Sequence, residues 1–168
     1  MPSDIELEGA QWSSAVDLQK YLLRKIEESQ NGAPQKWEKL NLEHLAPQNP
    51  SSGDDYWYQA VAPRDPDEDS ERSYDNFCKS WGNVTLLEEK LNKSIQNAAW
   101  PLKLTGSASK FGISKSGLLI NSELKTSEAW TREHIEVRGA WMLECAQILT
   151  GSKWVQSGKS SLPPLALP

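Results

Sequence analysis

The sequence predicts a predominantly helical α+β domain, and three observations carry that expectation. Stretches with helical apolar spacing lie near both ends of the chain. Two short strand-like segments, around Leu40–Leu45 and Val84–Thr85, sit between them. The residues separating those segments are rich in Pro, Gly, Ser and acid, and propose no long element of their own.

The first helix is expected in SSAVDLQKYLLRKIEESQNG. Ser13 or Ser14 caps it, Val16, Leu18, Leu22, Leu23 and Ile26 share its apolar face, and Asn31-Gly32 end it. WEKLNLEHLAP then approaches a short strand that turns Leu40, Leu42 and Leu45 toward the core and stops at Pro47. From Gln48 to Asp75 the composition shifts. RDPDEDSERSYD has six acids in twelve residues and is expected to be a mobile insertion, anchored in its first part by Tyr56, Trp57 and Tyr58.

Order is expected to return at FCKSWGNVTLL, with a turn at Gly82-Asn83 and a strand at Val84-Thr85. LLEEKLNKSIQN has Leu87, Leu91 and Ile95 at helical spacing, so Glu88 and Asn92 share a face, and Pro101 ends the run. Residues 105–117 read as a Gly/Ser/Lys loop and GLLINSEL as a short apolar element. In SEAWTREHIEVRGAWMLECAQILTG a long helix is capped at Ser127 or Thr131. It carries a stripe of Ile135, Met142, Ala146 and Leu149 and stops at Gly151, after which Trp154 folds back. The last residues, SGKSSLPPLALP, are expected to be disordered.

Bulk properties exclude several function classes. A chain of 168 residues suggests one domain, and eight tryptophans supply buriable area for a core. No apolar run is long enough for a membrane span, and the acidic start does not resemble a signal peptide, so a cytoplasmic setting is expected. Cys78 and Cys145 lie far apart with no CxxC, which argues against a zinc knuckle or a disulfide scaffold. The net charge of −5 is unevenly spread. Residues 1–75 hold 7 Lys/Arg and 16 Asp/Glu, and residues 76–168 hold 11 and 7. Between 90 and 125 six lysines face one acid, Glu123, a local field that suits a polyanion and equally a solvated lysine face.

Glu43 and His44 stand side by side at the end of the first strand, followed by Pro47 and Gln48. Asn83 precedes the second strand, and Asn92 lies nine residues later on a helix. A histidine at a strand end, a second strand, then a helix bearing an amide is the order of a ββα-metal site. Phosphodiester cleavage needs a base for water, and a neutral imidazole serves near pH 7. It also needs a cation to offset charge on the departing 3′ oxygen. Mg²⁺ takes a few hard oxygens and keeps several waters, so one carboxylate, Glu43, and one amide, Asn92, would suffice. Glu43 could instead orient His44. Asn83 could brace the loop through backbone bonds and so aim His44.

EHLAPQ at 43–48, GNVTLL at 82–87, Asn92, Ile95-Gln96-Asn97, WTREHIEVR at 130–138 and Trp154 together resemble the HNH endonuclease family. The resemblance is nearest to the C-terminal domain of GmrSD-type modification-dependent restriction enzymes, and it spans roughly residues 37–155. It implies an embedded ββα-metal motif, with His44 as general base, Asn83 as the residue orienting the loop, and Glu43 and Asn92 as ligands of a divalent cation, Mg²⁺ or Mn²⁺. Many HNH members carry Asp at the position of Glu43, His at that of Asn92, and cysteines for a structural zinc. This chain does not, so no structural zinc is expected. Lys90, Lys93 and Lys103 are the candidate phosphate contacts. Arg138 either bridges within the fold or touches phosphate, Asn97 caps its helix or faces the phosphate, and His134 is a packing or surface residue.

The organisation expected is an N-terminal helical segment at 1–35, an HNH domain at 36–155 with a flexible acidic insertion at about 51–75, and a tail at 156–168. The function implied is hydrolysis of DNA, including modified or phage DNA, in a bacterial or archaeal defence system. A sensor domain or partner subunit would act alongside it, and cutting both strands would need two such sites. The rival reading is a non-catalytic nucleic-acid-binding or assembly module on the same scaffold.

Overall fold

A computed structural model describes residue 9 and residues 15–31, 36–50, 55–61, 70–151 and 162–168. Helix α1 spans Val16–Asn31, and strand β1 spans Leu40–His44. Helices α2 (Asp55–Val61) and α3 (Ser70–Lys79) precede strand β2 (Val84–Glu88). Helix α4 (Glu89–Ile95) follows β2 without a loop, and α5 spans Trp100–Thr105. A small hairpin, β3 (Gly106–Ser107) and β4 (Lys110–Phe111), and several 3-10 turns lead to the long helix α6, Arg132–Thr150. The domain is thus a predominantly helical α+β fold, as the sequence leads one to expect.

The two strands named by sequence pair with each other. β1 and β2 are antiparallel, with Leu40 opposite Glu88, Leu42 opposite Leu86 and His44 opposite Val84. Side chains alternate along a strand, so this register turns Leu40, Leu42, Val84 and Leu86 to one face. There they join Leu22, Leu23 and Ile26 of α1 and Trp141, Met142 and Cys145 of α6. Leu87 lies on the other face, with Trp57 of α2, Tyr74 and Phe77 of α3, Ile95 of α4, Trp100 and Trp130. The ribbon therefore sits between two apolar clusters. Each fully buried side chain of this kind contributes roughly 1.5–3 kcal/mol.

α1 is part of this domain rather than a separate segment, because its apolar face completes the first cluster. The carboxylate of its buried Glu27 also accepts the backbone N–H groups of Leu119 and Ile120, at 3.1 and 2.9 Å. Its expected stripe is displaced: Val16 is 46% and Leu18 37% exposed, while Gln19 and Glu27 are buried. The caps expected at Ser13 or Ser14 lie outside the described residues.

Four further expectations are corrected. Residues 70–75, expected to be mobile, form the start of α3, because Ser73, Tyr74, Phe77 and Cys78 make a buried helical stripe while Asp75 stays exposed. Leu87 and Glu88 belong to β2, and α4 starts one residue later. Pro101 opens α5 instead of ending α4, a position where its missing N–H costs nothing. Residues 162–168 of the tail are packed: Leu162 and Leu165 lie on the first cluster, Leu167 on the second, and the Trp141 indole N–H donates to the Pro163 carbonyl at 2.8 Å. Trp154 lies outside the described residues.

The long helix begins after Thr131 and ends at Gly151, whose left-handed φ of 72° suits glycine. Ile135, Met142 and Ala146 are buried, but Leu149 is 39% exposed. Helix α6 lies directly against the turn before β2. A Cβ on Gly82 would fall 1.9 Å from the Ile135 carbonyl oxygen, so only glycine permits this approach. The Arg138 guanidinium, fully buried, donates from Nη1 to the carbonyls of Gly82, at 3.1 Å, and Val84. Arg138 thus acts within the fold, as a clamp on the start of β2. Among the described residues no helix is long and apolar enough to cross a membrane.

Candidate active site

The end of β1 and the turn before β2 are fastened together by Asn83. Its side chain is fully buried and makes four hydrogen bonds. Oδ1 accepts from the Ala46 N–H at 2.8 Å and from the Trp130 indole N–H at 3.1 Å. Nδ2 donates to the carbonyls of Ala46, at 2.8 Å, and Cys78, at 3.1 Å. The Leu45 N–H in turn donates to the Asn83 carbonyl at 2.8 Å. Every donor and acceptor of the amide that can point inward is used, so the two residues after His44 are held by an inelastic polar clasp. The Trp130-Thr131 pair has a structural reading here, since Trp130 supplies one of the four bonds.

His44 ends the strand just before this clasp. Its ring is partly buried, and neither ring nitrogen has a hydrogen-bond partner among the described residues. Burial, with a smaller contribution from the Lys103 ammonium, lowers its pKa from 6.5 to about 4. The imidazole is therefore neutral at pH 7, with a lone pair able to take a proton.

Glu43 points to the other face of the ribbon, because strand neighbours alternate. On that face Lys103 of α5 reaches it. Lys103 Nζ lies 2.5 Å from Glu43 Oε1 and 2.6 Å from the carbonyl oxygen of His44. The Lys103 side chain is fully buried and that of Glu43 is 12% exposed. Burial raises the carboxyl pKa and lowers the ammonium pKa, and the attraction of each partner opposes its shift. Oε2 of Glu43 has no hydrogen bond among the described residues.

Asn92 sits one turn into α4, which packs against both β1 and β2. Its side-chain amide is partly buried and has no hydrogen-bond partner among the described residues. Among those residues no group of three or more His, Cys, Asp and Glu side chains converges. Among the described residues one oxygen of the Glu43 carboxylate and the Asn92 amide oxygen have no partners, and both are hard donors of the kind a small divalent cation takes alongside water and phosphate.

The candidate phosphate contacts separate. Lys90 and Lys93 are exposed on α4, and Lys93 pairs with Glu89 one turn earlier. Lys103 is corrected: with no exposed surface and two short bonds inward, it cannot touch a phosphate. Local sequence does not reveal its role as the partner of Glu43. The signal was a lysine within the apolar run WPLKL, but its partner stands 60 residues away in sequence. Asn97 donates to the Asn49 carbonyl at 2.9 Å, tying the end of α4 to the loop after β1. His134 is buried beside Trp130 and its Nδ1 lies 2.8 Å from the Thr131 hydroxyl, as a packing residue would.

Comparison with curated proteins gave no match, and comparison with solved structures gave none either. One family model does match, and it covers residues 6–145, so it takes in α1, both strands, α4 and most of α6. The chain belongs to the family of GmrSD restriction endonucleases, C-terminal domain, and is accordingly an endonuclease domain of the restriction type.

Proposed function

We propose that the domain is a metal-dependent HNH nuclease that hydrolyses DNA phosphodiester bonds. The observation that carries this reading is the state of His44: an imidazole without a hydrogen-bond partner among the described residues, neutral at pH 7, at a strand end clasped by Asn83. Along the order β1, β2, α4, Glu43 lies on the first strand and Asn92 on the helix, and each has a side-chain oxygen free of hydrogen bonds among the described residues.

In this mechanism His44 takes a proton from water as the water oxygen attacks phosphorus. The P–O3′ bond breaks and the departing oxygen takes a proton from solvent, leaving a 5′-phosphate and a 3′-hydroxyl, and His44 returns its proton to solvent. A cation held by Glu43 and Asn92 would supply charge stabilisation to the departing 3′ oxygen. Asn83 keeps the His44 loop from shifting, and exposed Lys90 offers a charge to the DNA backbone. One site of this kind cuts one strand. DNA of foreign or modified origin is the substrate expected of a restriction enzyme, with recognition supplied by a sensor domain or a partner subunit.

Supercoiled plasmid with Mg²⁺ or Mn²⁺ tests this. Nicked circles that a ligase reseals, and that chelation prevents, are the expected result. Intact plasmid with either metal, or ends carrying a 3′-phosphate, would count against it. DNA binding without any cleavage would favour the non-catalytic module.

A further inference from the structure

We propose that Lys103 is a positioning residue for this site: it holds one oxygen of Glu43 together with the His44 carbonyl, so that Glu43 offers a single oxygen to the metal. The inference rests on the nuclease reading above and deepens it. Glu43 has three side-chain torsions, and an unrestrained glutamate on a strand would sample several positions. Lys103 removes that freedom. Its Nζ bridges Oε1 and the backbone carbonyl of the next residue, at 2.5 and 2.6 Å, and thereby ties the carboxylate to the strand that bears His44.

The lysine is itself held from behind. It projects from α5, whose first residue, Trp100, is fully buried, stacks on Trp130 with centroids 5.2 Å apart, and donates its indole N–H to the Ser127 carbonyl at 2.9 Å. Nζ lies 6.0 Å from the centre of the Trp57 ring, whose face attracts a cation. With the ammonium enclosed in this way, DNA cannot reach it. Two consequences distinguish it from a phosphate-binding lysine. Its loss changes the metal dependence and turnover of the enzyme, and it leaves DNA affinity and the salt dependence of that affinity unchanged.

The test uses four full-length proteins: wild type, K103M, E43Q and E43Q/K103M. Plasmid nicking is measured against Mn²⁺ concentration. Binding to a short labelled duplex is measured in Ca²⁺ at several salt concentrations, and Mn²⁺ binding to the DNA complex by electron paramagnetic resonance. K103M is expected to lower kcat, and to raise the half-saturating Mn²⁺ concentration, each by about 10–100-fold, the range for loss of a group that orients a metal ligand. Its duplex affinity and salt slope should match wild type. Adding K103M to E43Q should change kcat no further, because the lysine acts through the carboxylate.

A weaker duplex affinity with a shallower salt slope would overturn the proposal, as would wild-type kcat in K103M or effects of the two substitutions that multiply. Should K103M fail to fold with its buried carboxylate unpaired, E43Q/K103M leaves no unpaired charge at that position. A difference in kcat between E43Q/K103M and E43Q then refutes it alone. If wild type binds Mn²⁺ without nicking DNA, the nuclease reading falls, and the shift in Mn²⁺ binding still decides the role of Lys103. If wild type neither nicks nor binds Mn²⁺, both fall.

Discussion

Replacing Asn83 by alanine should be among the most damaging single changes in this domain. The side chain is fully buried, and its loss leaves four buried groups without partners: the Ala46 N–H and carbonyl, the Cys78 carbonyl and the Trp130 indole N–H. At about 1 kcal/mol for each bond, the cost is about 4 kcal/mol, a large share of a typical domain's stability. For a chain of this length that corresponds to a Tm lower by about 12 °C. N83D gives a second reading. It keeps the acceptor toward Ala46 and Trp130 but sets a carboxylate oxygen against two carbonyls, and should be no more stable than N83A. Thermal and urea unfolding followed by circular dichroism measure both. Nicking should fall with stability and remain depressed at temperatures where the variant is folded, because the loop after His44 has lost its clasp. A loss below about 1 kcal/mol for N83A would refute the clasp, since that is the value of one net bond and not four.

Other predictions follow from neighbouring contacts. The acid limb of nicking activity should have its midpoint near pH 4, the depressed pKa of His44, and a midpoint near 6.5 would show that the ring is not desolvated. Stability carries the same sign: the folded state favours the neutral ring, so the His44 contribution is present above pH 6.5 and is lost at about 1.4 kcal/mol per pH unit as pH falls toward 4. H44A should make the slope measured in urea titrations shallower across this window, with the contribution of His134 remaining. G82A should cost about 3 kcal/mol, because the added carbon meets the backbone of α6 rather than a side chain that can move. Unfolding close to wild type would mean that α6 can slide away from the turn.

The positions of the candidate site residues were legible because they fall at element ends. His44 closes a strand, Asn83 precedes one, and Asn92 lies a turn into a helix, and those positions follow from local patterning. What sequence could not convey was the pairing of distant charges. Lys103 looks like any basic residue of a lysine-rich segment until α5 carries it beneath Glu43. The acidic region misled for a related reason. Its charges suggested disorder, while Tyr74, Phe77 and Cys78 sit at helical spacing and bury against Trp57, a partner on another helix. The order of the tail is not legible in sequence because Leu162, Leu165 and Leu167 are too few to signal structure alone, and they find their place only on clusters built by the rest of the chain.

The central claim is that His44 activates water for phosphodiester hydrolysis. Its most direct measurement is the nicking rate of H44A on supercoiled plasmid, taken alongside duplex affinity and Tm. The account predicts a rate at least about 100-fold below wild type with DNA affinity preserved, the loss expected for removing a general base. H44A nicking at the wild-type rate would contradict it.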